Sequence, residues 1–472
     1  MISLQRWDDD LGLITNPYSS SMPVTDPAQY YGRRNDLLRV AVNIRNWEPF
    51  AITGEPRIGK SSFLYYLTHP DGARKRGDFL DYIGNPAAYL FVLIELQLLP
   101  VRNAQGFWRY LFDRLVEEAG EAGIDAESLR AAYRTSQEAG SDDYQIQTSF
   151  ERYLKQLERK VLFLFDDFDI VIRDFENSDV TQVTGKLRTL KALTFKDKLN
   201  YVIISTDPLV RLFEDKDIAG SLSPLSNIII SAPPLGLLEE DAAHALLQKP
   251  LQQSPPNIPR FSEEDITFID KLAGRYPDFL KISCFHLLEA KIQGPVDYGF
   301  VRQTIENDNR VQWLMKRLWE RVRQDEQPLR QVLLQIAQGQ VPANRLAFRE
   351  LCQRGLVDDL ASSPRIFGML FYAFVLHPDA HAVTPTESPP LAAKLTLLES
   401  KLYNYLAEHA EQTCTREQLK KVVWGSNPPS SPDALEQLVK RLRGKIEPNP
   451  DQPTYLLNVR GQGYLLRQLP TT

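Results

Sequence analysis

Apolar residues in the first half of the chain gather into five short runs: Phe50–Thr53, Tyr89–Ile94, Val161–Phe165, Tyr201–Ser205 and Ile228–Ser231. Each is β-branched or aromatic and nearly unbroken in hydrophobicity, which predicts strands buried on both faces. The stretches between them have room for helical crossovers, so a parallel α/β domain is expected over residues 31–235. Beyond Leu235 the period changes. Glu239–Leu251 and Glu263–Leu272 carry apolar residues at i, i+3 and i+4 spacing, and helical patterning continues to about Leu376.

Two polar stretches frame this region. Residues 1–30 hold Pro17, Pro23, Pro27 and the run Ser19–Ser21, and read as an extended lead-in. Residues 377–391 (HPDAHAVTPTESPPL) have linker chemistry. A compact segment, 392–472, follows. Leu397, Leu398, Leu402 and Leu406 stripe a first helix, and Thr415-Arg416-Glu417-Gln418 forms a capping box that opens a second. Pro432 suits the first position of a third helix. That helix buries Leu435, Leu438, Val439, Leu442 and Ile446, and its opposite face offers Gln437, Lys440 and Arg441, flanked by Arg443 and Lys445. A basic face on the helix after a helix–turn is what the DNA major groove requires. Thr454–Val459 and Tyr464–Leu466 then flank a glycine hairpin with Arg460 at its tip.

A chain of 472 residues exceeds what one hydrophobic core supports, and 43% hydrophobic with 25% charged residues argues against global disorder. Three widely spaced cysteines exclude a disulfide framework and a four-cysteine zinc site, which points to a reducing, cytoplasmic compartment. Asp8, Asp9 and Asp10 stand where a signal peptide needs apolar residues. The most apolar stretch, Ala87–Val101, is too short to span a bilayer and is interrupted by Glu95 and Gln97, so no membrane partner is expected. The net charge of −6 is unevenly shared. Residues 391–472 hold 11 Lys+Arg against 8 Asp+Glu, a net +3, which leaves −9 for the rest.

The strongest chemical motif is Gly54-Glu55-Pro56-Arg57-Ile58-Gly59-Lys60-Ser61, with Ser62 opening a helical stretch behind an apolar strand. It fits G-x-x-x-x-G-K-[ST], a loop whose N–H groups cradle phosphates at a helix N-terminus. Lys60 supplies charge for the β- and γ-phosphates and the Ser61 hydroxyl can ligate Mg²⁺, so ATP or ADP with Mg²⁺ is the expected cofactor set. Val161–Phe165 runs into Asp166 and Asp167 at the edge where open α/β sheets bind ligands. Asp166 is then the second Mg²⁺ partner and Asp167 the group that polarises an attacking water. Thr206 and Ser205, at the end of their strand, are candidates to sense the γ-phosphate; a turn at Asp207-Pro208 explains them as well.

At these residues the sequence resembles the STAND class of AAA+-related signal-transduction ATPases, over about residues 14–376. The marks are Asn16-Pro17-Tyr18, Pro23-Val24-x-Asp26-Pro27, Tyr31-Gly32-Arg33, the phosphate loop and Gly274-Arg275-Tyr276-Pro277. The resemblance implies that Tyr31, Gly32 and Arg33 lie beside the adenine and that Pro277 covers the base. It also divides the chain into an ATPase core (31–235), a helical lid (236–300) and an internal winged-helix subdomain (301–376). Arg211 is a candidate arginine finger, with a plain surface role as the alternative.

Residues 392–472 resemble the winged-helix effector domain of OmpR/PhoB-type response regulators. The marks are Arg416-Glu417-Gln418-Leu419, Val423-Trp424-Gly425, Arg441-Leu442-Arg443-x-Lys445 and Val459-Arg460-Gly461-x-Gly463-Tyr464. This implies recognition-helix contacts from Lys440, Arg441 and Arg443 and a minor-groove contact from Arg460. The expectation is a multidomain α/β plus α protein acting as a nucleotide-switched, DNA-binding transcriptional regulator. Slow regulatory ATP hydrolysis, a nucleotide-dependent homo-oligomer, double-stranded DNA as partner and an unidentified input signal or protein go with it. A DNA-remodelling or loading ATPase, or a conflict or immune sensor whose winged helix binds a protein, are the alternatives.

Overall fold

The structure, a computed structural model, describes residues 16–19, 22–124, 127–137, 142–216, 225–325, 327–359, 364–377, 397–409, 412–424, 434–447, 453, 455–459 and 463–467. Five parallel strands, β1 (Phe50–Thr53), β2 (Tyr89–Glu95), β3 (Lys160–Asp166), β4 (Leu199–Ser205) and β5 (Ile230–Ser231), form one sheet in the order β2-β3-β4-β1-β5. The strand carrying the phosphate loop and the strand carrying the paired aspartates are therefore separated by β4. All their carboxyl ends meet one edge.

Alternation along the strands builds two cores. Phe50, Ile52, Phe91, Leu93, Leu162, Leu164, Val202 and Ile204 face one cluster, and Ala51, Leu90, Val92, Ile94, Phe163, Phe165, Tyr201 and Ile203 face the other. With both faces covered, these strands have no polar side, which is why they read as continuous apolar runs. The fifth run differs from expectation. Leu225–Ile228 is a 3₁₀ turn, and the two-residue β5 leaves Ile230 and Ser231 exposed. It is an edge strand, and Pro233 and Pro234 lack the N–H groups that would extend its ladder.

Helices follow the sheet: Glu240–Gln253, Glu263–Ala273, Pro277–Gln293, Tyr298–Glu306, Asn309–Asp325, Gln327–Ala337 and Arg345–Gln353. A short antiparallel pair, β6 (Val357–Asp358) with β7 (Arg365–Ile366), and the helix Met369–Leu376 close the series. The lead-in is anchored here. The Asn16 side-chain amide donates to Phe285 O (3.1 Å) and Glu289 Oε1 (2.8 Å), and the Tyr18 hydroxyl donates to Leu247 O. Among the described residues no helix is long and apolar enough to cross a membrane.

The chain divides into two compact units, one ending at Ala382 and one beginning at Val383. In the second, helices Leu397–Glu408, Arg416–Trp424 and Ala434–Ile446 pack on a three-stranded antiparallel sheet. Its strands are β8 (Thr413–Thr415), β9 (Leu456–Val459) and β10 (Gly463–Leu466), in the order β8-β10-β9. The capping box is present: Thr415 N–H donates to Gln418 Oε1 (2.8 Å) and Gln418 N–H to Thr415 Oγ1 (3.2 Å). Pro432, the linker from 378 on and the hairpin tip with Arg460 lie outside the described residues.

Candidate functional site

β1 delivers Gly54 to the sheet edge, where its backbone bridges to Leu235, and the loop then turns into the helix Lys60–Thr68. Arg57 (φ 62°) and Gly59 (φ 100°) both take left-handed backbone, bending the loop around the helix start, where unpaired N–H groups concentrate. Lys60 is buried, and its ammonium donates to the carbonyls of Gly54 (3.0 Å) and Glu55 (3.2 Å), bracing the loop from within. Ser62 is held from outside: its hydroxyl accepts the Val24 N–H at 2.9 Å, tying the lead-in to the loop.

β3 brings Asp166 and Asp167 to the same edge. Asp166 is 6% exposed, and burial pushes its carboxyl well above the usual range, with the neighbouring Asp167 charge adding to the push. A hydrogen bond from Ser61 and the charge of Lys60 act in the opposite direction. Asp167 is raised too, by burial first, against the pull of Lys60. Its backbone is left-handed (φ 53°), its N–H donates to Asp166 Oδ1 (3.1 Å) and its carboxylate accepts from the Gln97 amide. Glu95, in register with Asp166 on β2, accepts from the Tyr65 hydroxyl. Lys60, Ser61, Asp166 and Asp167 thus lie together at this edge, and Glu95 and Gln97 join them.

On the other flank the Tyr31-Gly32-Arg33 segment packs under the loop. Arg33 is buried and donates to Gly236 O (2.6 Å) and Ile58 O (2.8 Å), so its guanidinium holds the loop to the turn after β5. Gly32 (φ 77°) sits where a Cβ would lie 2.5 Å from that of Ala242, which only glycine allows. The hydroxyls of Tyr30 and Tyr31 are buried with no hydrogen-bond partner among the described residues. Pro277 is the first residue of its helix, and the preceding Tyr276, fully buried, donates its hydroxyl to Pro56 O. Arg275 donates to Leu238 O (2.6 Å) and pairs with Asp358 (2.8 Å).

The end of β4 is more occupied than the sequence suggests. The Ser205 hydroxyl folds back onto Asp207 O (2.7 Å), while Thr206 engages Asp169 Oδ1 through its N–H (3.3 Å) and Arg321 through its carbonyl (3.2 Å). Arg321 also pairs with Asp207 (2.8 Å) and with Glu55 (2.6 Å). Arg354 reaches the other oxygen of Glu55 at 2.6 Å. Against the upward push of burial, Arg321 and then Arg173 hold Asp207 below the usual carboxylate range. A cavity of about 540 Å³ opens beside this network, with Thr206, Arg211, Arg349 and Arg354 among its lining. Arg321 and Arg354 carried no motif. Only Glu95 and Gln97, two polar residues closing an apolar run, left a signal in the sequence.

In the second unit, Gln437 and Lys440 are exposed on the helix Ala434–Ile446 and Arg441 is half-buried beside them. Arg443 points elsewhere: its Nε (3.0 Å) and Nη2 (2.8 Å) both donate to Leu456 O, clamping the helix to β9. Lys445 pairs with the buried Glu399 at 2.5 Å, locking the first helix to the third. The outward pair is therefore Gln437 and Lys440, with Arg441 half-buried beside it. If this face carries DNA, Lys440→Ala is expected to weaken duplex binding similarly for all sequences and to lower the slope of log affinity against log salt by about 1. Arg443→Ala is expected instead to lower the melting temperature of the unit. Fluorescence anisotropy across a salt series and thermal melts separate the two; an unchanged slope for Lys440→Ala would remove it from the contact.

Residues 391–466 match the family model described as "Transcriptional regulatory protein, C terminal". The chain is similar in structure to the Walker-type ATPase of Pyrococcus abyssi, at 15% identity and a TM-score of 0.50, over 76% of this chain and 99% of that one. It also matches the Aeropyrum pernix ORC2 protein at 12% identity and a TM-score of 0.41, over 78% of this chain and 98% of the other. The fold is that of a P-loop ATPase core joined to a C-terminal winged helix of the OmpR/PhoB type.

Proposed function

We propose that this chain is a nucleotide-switched, DNA-binding regulator of transcription, in which ATP or ADP at the Gly54–Ser61 loop governs how the C-terminal winged helix engages double-stranded DNA. The observation that carries the reading is one chain holding both a phosphate-type loop apposed to paired aspartates and a transcriptional-regulatory winged helix. Assignment to the STAND class, hydrolysis as a slow timing step, a cytoplasmic location and nucleotide-dependent self-association belong to the same proposal. One winged helix makes few phosphate contacts, so bringing several copies together is the effective route from weak to tight binding.

The residues fit the cofactor set. Left-handed backbone at Arg57 and Gly59 shapes a loop at a helix N-terminus for phosphates, and the orphaned Tyr31 hydroxyl lies in the segment assigned to the base. Ser61 and Asp166 are hard oxygen donors of the kind Mg²⁺ takes, and Mg²⁺ would supply charge neutralisation for the phosphates. Asp167, held by Gln97, is the group placed to orient water, and Thr206 is the group at the end of the inserted strand.

Because burial raises Asp166, the metal-free folded protein keeps that proton through a window above the usual carboxylate value. Its stability then falls as pH rises through the window. Mg²⁺ binding is therefore expected to release protons and to tighten with pH there, and Asp166→Asn is expected to reduce the release, Asp167 being raised as well. Calorimetry in buffers of different ionisation enthalpy reads this directly, and a pH-independent affinity would contradict it.

The function itself is tested by sizing the purified protein with ADP, ATP and duplex DNA. ATP is expected to promote assembly and to raise DNA affinity, with steep salt dependence. Equal size and equal DNA affinity in ADP and ATP would overturn the switch.

A further inference from the structure

The second residue of the phosphate loop is an acid. Glu55 is 2% exposed, and each of its carboxylate oxygens accepts one arginine Nε at 2.6 Å: Oε2 from Arg321 and Oε1 from Arg354. Neither arginine belongs to the sheet domain. Arg321 lies on the helix Asn309–Asp325, and Arg354 caps the end of the helix Arg345–Gln353. The pairs run on as a chain of alternating charge, Arg354–Glu55–Arg321–Asp207–Arg173, that ends on the helix after β3.

A carboxylate in a loop that must hold a polyphosphate opposes its own ligand, because like charges in a poorly solvated site repel strongly. The loop's own two cations are engaged elsewhere: Lys60 is turned to the carbonyls of Gly54 and Glu55, and Arg57 faces Asp278 at 3.9 Å. Neutralisation of Glu55 is left to side chains more than 260 residues further along.

We infer that Arg321 and Arg354 set the nucleotide affinity of the loop by masking the charge of Glu55, so that the phosphate site is electrostatically complete only while these two helices are docked on it. The inference rests on the reading of the loop as an ATP site and deepens it. Both arginines are positioning residues: they act through Glu55 and need not touch the nucleotide. Undocking the helices for any reason would expose a carboxylate to the phosphates and weaken retention of the nucleotide. A buried acid flanked by two arginines is seldom kept for stability alone, since apolar replacements often serve as well.

The test is calorimetric titration of the full chain with Mg·ATP and Mg·ADP. Arg354→Gln is expected to weaken both by about tenfold, the effect of one poorly masked like charge near the ligand. Glu55→Gln is expected to bind at least as tightly as wild type, and Glu55→Gln/Arg354→Gln to stay within about threefold of Glu55→Gln. Rescue by removing the acid is the signature against an arginine that bound phosphate itself, and thermal melts of each variant, expected to stay near wild type, separate charge masking from a role in holding the fold. The inference is overturned if Arg354→Gln binds as wild type does, or if the double variant is as weak as the single. Should Arg354→Gln fail to fold, the double variant against Glu55→Gln decides alone, and a tenfold loss there overturns it. Absence of nucleotide binding by the wild-type chain would overturn the ATP reading and this inference with it, whereas wild-type binding without rescue overturns only the inference.

Discussion

Lys60→Ala is expected to lower Mg·ATP affinity by at least about 100-fold and to abolish any ATP-stimulated rise in DNA affinity. The magnitude follows from deleting one partner of a charge-assisted contact in a buried site, about 2–5 kcal/mol. The side chain makes its two hydrogen bonds inside the loop, to Gly54 and Glu55, so its removal also unbraces the loop. The fold should survive. Phe63, Leu64 and Leu67 anchor the same helix in the core, and alanine is the best helix former at its first turn. DNA binding in the absence of nucleotide should be unchanged, because Lys60 and the winged helix lie in separate units. Calorimetry for ATP and anisotropy for DNA are the measurements. ATP-stimulated DNA binding that persists in Lys60→Ala would disprove coupling between the two.

Among the described glycines of the first unit, Gly274→Ala is expected to be the most damaging alanine substitution, costing about 3–5 kcal/mol. Two penalties combine. Its φ is +59° with ψ −140°, a conformation that costs an L side chain about 1–3 kcal/mol. A Cβ there would fall 1.6 Å from the Phe367 carbonyl oxygen, forcing apart backbone segments at an overpacking cost of about 1–3 kcal/mol. The contact is not local. It seals the end of the helix Glu263–Ala273 against the segment between β7 and the helix Met369–Leu376, and just beside it Phe279 stacks on Phe367 while the Tyr276 ring packs on it at a tilt. Domains are stable by only about 5–15 kcal/mol, so a melting temperature lower by about 10 °C, or loss of soluble protein, is expected. Gly59→Ala is the control. It has the same sign of φ (+100°) but nothing within 4 Å of its Cβ, so its cost should stay near the backbone penalty alone. A melting point for Gly274→Ala within about 2 °C of wild type would refute the packing argument.

The sheet was legible because its strands are buried twice over. A run such as Val161–Phe165 has no polar alternative to sample, and the acids that end it fall where the strand does. The phosphate loop was legible because its chemistry is local: glycines, Lys60 and Ser61 act within a few residues of one another. β5 was overextended by the same reasoning, since a short apolar run beside two prolines looks identical at an exposed edge. The arginine pair on Glu55 could not be read, because no spacing rule links position 55 to positions 321 and 354. In the winged helix, periodicity separated the apolar stripe from the basic one. It could not show that Arg443 and Lys445 reach sideways to Leu456 and Glu399 while Gln437 and Lys440 remain outward. Long cations reach several neighbours, and tertiary contacts decide which they take.

The order of strands in the second unit also has a temporal meaning. β10, the last described strand to be synthesised, is the middle of the sheet, pairing with β8 on one side and β9 on the other. Until residues 463–466 are made, β8 and β9 have no described ladder partner and Tyr464 is missing from the core. A growing chain completes and folds its ATPase-type unit first, as domains generally do during synthesis. The winged-helix sheet closes only with its last described strand, so a nascent chain completes the parallel sheet of the first unit well before the second unit can close.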